Sequence, residues 1–205
     1  MTQLLLSLST TELLDRFASD QPTPGGGSAA ALAGALAAAL VEMVAGLPKT
    51  RTGAPDEREK LDVAKASAAK AGARLRHLVD LDTEAYNAVT AAYRLPKATD
   101  HEKAARTAAI VKAMRQATEV PLETCECAAA VLRASAQTLA HGNANAASDV
   151  RTAMALCRAA LDAGAENVRA NVGSPSLTAE SPLYLARLES LRAPLESMLA
   201  NPNRK

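Results

Sequence analysis

Three stretches of the sequence carry polar side chains of types that do chemistry: LVDLDTEAY with Asp80 and Asp82, GNANAASD with Asn143, Asn145 and Asp149, and ENVRANVG with Asn167 and Asn171. A carboxylate can take a proton or hold a cation, and an amide can donate to and accept from the edge of a heterocycle. Helical spacing sorts them. Asp80 and Asp82, two apart, stand about 200° apart around a helix, so only one of them faces inward, with Tyr86 or with Glu84. Asn145 and Asp149 share a face, as do Asn167 and Asn171. Asp149 and Asn167 point the same way but lie about 27 Å apart along one helix, too far for a single small-molecule pocket in one chain. We expect Asn145 and Asp149 to serve the site, and Asn167 and Asn171 to bond neighbouring helix ends or a partner subunit.

Each group also has a plain reading. Acidic residues on a helix, and cations such as Lys49, Arg51 and Lys97, are by default solvated surface charges. His77, His101 and His141 show no ligand spacing, nor do Cys125, Cys127 and Cys157, so no metal site is expected. Three cysteines, an odd number, read as small core residues in a reducing compartment. The start MTQLLLSLST lacks the basic segment, longer apolar run and cleavage site of a signal peptide, which points to a cytoplasmic protein.

The elements that must position these groups are helices. Ser9-Thr10-Thr11-Glu12 has the form of a capping box and opens a short amphipathic helix that ends near Ser19. Ser28 begins a second helix that stops before Pro48, and a third runs from Asp56 to about Tyr93, ended by Pro96. Thr99 or Asp100 caps a fourth reaching Thr118; beyond it, Pro121 either starts a new helix or kinks a continuing one to Gly142. The 143–171 stretch is a further helix, and Ser181-Pro182 opens a last one that fades at Asn201-Pro202. Alternating β-branched runs are almost absent.

The second helix lies in PTPGGGSAAALAGALAAALVEMVAGL, residues 22–47. It is long enough to span a bilayer, but Ala dominates it, Glu42 interrupts it and no basic flank accompanies it. We read it as a helix that is apolar all round and buried on every side. The glycines do not make a nucleotide loop of the G-x-x-x-x-G-K-[ST] kind. Gly25, Gly26 and Gly27 with Ser28 could still offer backbone N–H groups to a carboxylate or phosphate at a helix start, or simply permit a tight turn.

The whole chain bounds these readings. Its 205 residues suit one domain, 1–205, and 48 alanines against 2% aromatics require a core of closely approaching helices. A net charge of +1 from interspersed 23 basic and 22 acidic residues excludes a nucleic-acid footprint. The expected architecture is all-α: a single-domain bundle of about six helices around a buried Ala-rich central helix.

Four segments in order, PTPGGGSAAALAGALAAALVEMVAGL, LVDLDTEAYNAVTAAYRLPKAT, EVPLETCECAAAVL and GNANAASDVRTAMALCRAALDAGAENVRANV, resemble the cyclodeaminase/cyclohydrolase family of tetrahydrofolate enzymes over nearly the whole chain. The short form and AYRLPKAT look more like the stand-alone cyclohydrolases of serine-cycle methylotrophs than like the deaminase domain. LPKTRTGAPDEREK departs from the more basic, Tyr-containing turn of the deaminases, which leaves the roles of Lys49 and Arg51 open. The resemblance implies an all-helical homodimer that hydrolyses 5,10-methenyltetrahydrofolate to 10-formyltetrahydrofolate without a metal; no other cofactor is expected, and the composition leaves a cytoplasmic protein with neither membrane nor nucleic acid as partner. Formiminotetrahydrofolate cyclodeamination is the alternative, and a non-catalytic helical assembly or binding module the second.

With that substrate the residues take roles. The methenyl compound carries an amidinium cation that is lost as water adds to its carbon, so a nearby carboxylate works better as base than as clamp. Asp82 is the first candidate and Asp80 the second. Asp149, with Asn145, could grip the pterin's adjacent donors, and Lys49 could shuttle a proton if burial lowers its pKa. Arg51, Lys97 or the glycine-rich helix start with Ser28 would receive the folate's glutamate carboxylates.

Overall fold

Ser9 accepts the Glu12 N–H, and the Glu12 carboxylate accepts the Ser9 N–H, closing the expected capping box on α1 (Thr10–Ala18). The computed structural model describes residues 4–195 and 198, so the expected fading at Asn201-Pro202 lies outside the described residues. The other helices are α2 (Gly26–Ala45), α3 (Pro55–Tyr93), α4 (Asp100–His141), α5 (Ala147–Val172) and α6 (Ser181–Arg192). Short 3₁₀ turns stand at Leu5–Ser7, Ala144–Ala146, Pro175–Leu177 and Ala193–Leu195. Among the described residues, extended pairing is limited to one antiparallel bridge between Thr50 and Gly142.

Helices α2 to α5 run up, down, up, down, each packed on its chain neighbours, and α5 returns to α2 to close a four-helix bundle. Small residues set the spacing. A Cβ added at Gly72 of α3 would stand 2.8 Å from the Ala38 Cβ of α2, so these backbones approach as close as their side chains allow. The core is alanine filled in with leucine and valine, among them Leu61, Leu75, Leu78, Leu122, Leu132 and Leu161, all buried. Its buried hydroxyls, Thr118, Thr124, Ser135 and Thr138, each donate to the carbonyl four residues back in α4. Peripheral α6 buries Tyr184 and Leu188 and is pinned by Arg187 to Glu119 and Glu126 of α4.

The open question at Pro121 resolves into one continuous α4. Proline has no N–H to offer the carbonyl of Ala117, four residues back. Asn171 of α5 supplies the missing donor, its Nδ2 lying 2.6 Å from that oxygen. Its partner is thus a carbonyl in the middle of a helix, not a helix end.

The position of α2 refines the expectation of burial on every side. It is the one helix among the described residues long and apolar enough to cross a membrane, and most of it is buried in the bundle. Three sides meet α3, α4 and α5, but the fourth faces outward, with Leu36 54% and Met43 45% exposed.

Candidate active site

The start of α2 lacks a cap of its own, because its N-cap is Gly25 and offers no side chain. Asp82 of α3 serves in its place: Oδ2 accepts the Ser28 N–H at 2.9 Å and the Ser28 hydroxyl at 3.1 Å. Ser28 occupies the third position of the helix, whose N–H an N-cap side chain would ordinarily take. The glycine run makes room for this. A Cβ on Gly27 would fall 2.1 Å from the Asp82 Oδ1, a position no side chain can share with the carboxylate. Gly26 is looser, its added Cβ standing 3.7 Å from the Asn167 Nδ2, so Gly27 is the glycine that the site requires.

Ser28 Oγ also lies 3.4 Å from Thr83 Oγ1. Asn167 ties its own Nδ2 to the Ala163 carbonyl at 2.9 Å, which aims its amide at the helix start. Asp82 is half-buried, and burial raises its pKa above the ordinary carboxylate value while the Ser28 hydroxyl and N–H hold it down. A partly desolvated carboxylate beside a hydroxyl and an amide is equipped to accept a proton from water.

The remaining candidates lie elsewhere. The Oδ1 of Asp80 accepts the Leu5 N–H at 2.7 Å, tying down the segment whose Leu5 enters the core. As the helical phase requires, the two aspartates face different partners. Lys49 and Arg51 stand beyond the other end of α2, about 29 Å away by its 20 residues. There the Arg51 N–H donates to the His141 carbonyl at 2.8 Å, and its guanidinium to the Leu139 carbonyl. Asn145 is exposed beside them, held through its N–H by Asn143, and Asp149 sits in the first turn of α5. Lys97 is exposed on the turn between α3 and α4.

Within one chain, then, the expected grouping of Asp149 and Asn145 with Asp82 does not occur. Because α5 runs antiparallel to α2, its late turns reach Asp82, and Asn167, assigned to structure from the sequence, lies there instead. At the glycine-rich start Asp82 already takes the Ser28 N–H and hydroxyl, so these two donors are engaged within the chain.

Two groups escaped sequence reasoning. Thr83 gave no signal apart from its neighbour. Glu57 accepts the Thr52 and Gly53 N–H groups at 2.9 and 3.1 Å, and these bonds, Thr52's first, lower its pKa to about 2. It thereby shapes the turn that presents Lys49 and Arg51 around a cavity of about 410 Å³. Its only trace in the sequence is its place in the first turn after Pro55. Burial pushes the Cys125 and Cys157 thiols up to about 12, leaving them unreactive. Among the described residues no three His, Cys, Asp or Glu side chains are grouped to hold a metal ion.

The family model for formiminotransferase-cyclodeaminase matches residues 9–179. A methenyltetrahydrofolate cyclohydrolase of Methylorubrum extorquens is 38% identical over 180 residues, 88% of this chain and 86% of its own length. The formimidoyltransferase-cyclodeaminase of Rattus norvegicus is 34% identical over 155 residues, 74% of this chain; the match takes up 28% of that longer protein. The crystal structure of formiminotetrahydrofolate cyclodeaminase from Thermotoga maritima superposes with a TM-score of 0.74 at 27% identity, covering 96% of this chain and 98% of that one. Agreement in both sequence and bundle over most of its length makes the chain a member of the formiminotransferase-cyclodeaminase family.

Proposed function

We propose that the protein is a methenyltetrahydrofolate cyclohydrolase that converts 5,10-methenyltetrahydrofolate and water to 10-formyltetrahydrofolate, reversibly. The observation that carries this reading is the 38% identity to a cyclohydrolase that matches this chain nearly end to end. Asp82 is the base. It takes one proton from a water whose oxygen bonds to the amidinium carbon. The bond from that carbon to N5 then breaks, N5 keeps the second proton of the water, and the carbon stays on N10 as a formyl group. Asp82 returns its proton to solvent. A carboxylate is an apt base because the cation it faces disappears as the adduct forms. Asn167 and Thr83 are available to the pterin's polar edge. We further propose a cytoplasmic homodimer of the serine cycle that works without a cofactor.

The second reading is cyclodeamination, in which the ring closes and ammonia leaves; it is favoured by the fold shared with the Thermotoga maritima enzyme. Purified protein separates the two. Accelerated loss of the methenyl absorbance over the spontaneous rate is the expected result, and ammonia release from formiminotetrahydrofolate without that acceleration would establish the deaminase.

A further inference from the structure

Leu75, Val79, Asp82 and Tyr86 of α3 follow one another at intervals of 4, 3 and 4 residues and so form one stripe along the helix. Most of that stripe packs on α2. Leu75 closes against Gly34, where an added Cβ would stand 3.1 Å from both leucine methyls; Val79 is buried, and Asp82 meets the first turn at Ser28. Here α2 begins, whereas α3 runs on from Asp82 to Tyr93, about 16 Å further. Tyr86 is therefore the first residue of the stripe with no turn of α2 opposite it, and it is 45% exposed.

Aromatic side chains are scarce in this sequence, three tyrosines and one phenylalanine, and the other three are engaged. Phe17 packs against the core, Tyr184 is buried, and the Arg106 guanidinium lies 5.5 Å from the centre of the Tyr93 ring. The Tyr86 hydroxyl has no partner among the described residues. Side chains on a helix lean toward its N-terminus, so this ring inclines over the turn that holds Asp82, about 6 Å back along the axis. A carboxylate and a flat, electron-rich face thus stand one turn apart on the same side of α3.

That pairing suits the cation of the folate reading. The amidinium of 5,10-methenyltetrahydrofolate is planar, and water adds perpendicular to its plane. One face must stay open to the water; the other is free to rest on an aromatic ring, which attracts a cation to its face. We propose that Tyr86 is a substrate-binding residue whose ring covers one face of the methenyl ring system and leaves the opposite face to the water that Asp82 deprotonates. This rests on the folate reading and adds to it the face from which water attacks. Because the cation disappears as the adduct forms, the ring holds the substrate more than the transition state. Its loss should raise KM, while kcat holds or rises slightly.

Tyr86→Leu keeps bulk and removes the ring; KM is expected to rise about tenfold, with kcat no lower than about a third of wild type. Tyr86→Phe should hold KM within about threefold, since the hydroxyl is unused. The inhibition constant of 10-formyltetrahydrofolate, which lacks the cation, should rise less than KM in the leucine variant. The chain has no tryptophan, so Tyr86→Trp supplies a probe that does not depend on turnover. Acrylamide quenching of the new indole should fall when saturating 10-formyltetrahydrofolate is added. Val63→Trp is the control, at a position 68% exposed and about 35 Å away along α3, and should show no change. An unchanged KM in Tyr86→Leu overturns the proposal, as does an indole that stays open to acrylamide while the wild type turns over substrate; both leave the folate reading standing. An equal rise in KM for Tyr86→Phe also overturns it, by giving the contact to the hydroxyl. A wild type that neither turns over nor binds these folates removes the folate reading and the proposal together.

Discussion

At Asp82 one carboxylate holds a helix end and is set to take a proton, and the two roles separate by substitution. Asp82→Asn keeps an oxygen for the Ser28 N–H, so the fold should persist while kcat falls by about 10²–10⁴-fold. Burial raises the Asp82 pKa, so the stability tied to its protonated form is present at acid pH and is lost as pH rises through the folded value. The Asn variant should therefore melt no lower than wild type at pH 7. Because the Ser28 hydroxyl holds that pKa down, Ser28→Ala should move the acid limb of the rate profile to higher pH. A limb that stays in place would remove Asp82 as the base. Asn171 answers a different need, the carbonyl left open by Pro121. Asn171→Ala should lower stability in urea by about 1–3 kcal/mol. Pro121→Ala restores an N–H to α4, so the same substitution should cost less in that background.

The helices themselves were legible because their signals are local. The Ser9 capping box, a cap at Thr99 and the stop before Pro48 can be read within a few residues, whereas Pro55, expected in the preceding turn, is the first residue of α3. What could not be read depends on how helices are assembled. That Asp82 caps α2, and that Asn167 rather than Asp149 lies near it, follows from antiparallel packing of α3 and α5 on α2, which periodicity within one helix does not specify. Phase did limit the choice to one end of α5, and the choice itself needed the fold. The turn before α3 gives a prediction at this scale. Glu57 has a pKa lowered from 4.5 to about 2, so its contribution is present above the ordinary value and is lost as pH falls toward 2. The melting difference between wild type and Glu57→Gln should be full at pH 7 and close between about 4.5 and 2.

In the whole molecule, the two polar ends of the bundle are separated by a rigid apolar core. Effects on folding and on turnover should therefore combine differently. For Asp82→Asn with Asp149→Ala, changes in unfolding free energy in urea should add to within about 0.5 kcal/mol, as distant sites do. If both ends meet in one site of a dimer, their effects on kcat/KM should depart from additivity. The capping of α2 from α3 also bears on synthesis. Ser28 and its cap lie 54 residues apart, so at 5–20 residues per second the ribosome needs roughly 3–11 s to supply the cap. During that interval the nascent chain displays a twenty-residue apolar segment that targeting factors and chaperones can sample as they would a membrane anchor. Placing α3 directly after α2 keeps that interval short.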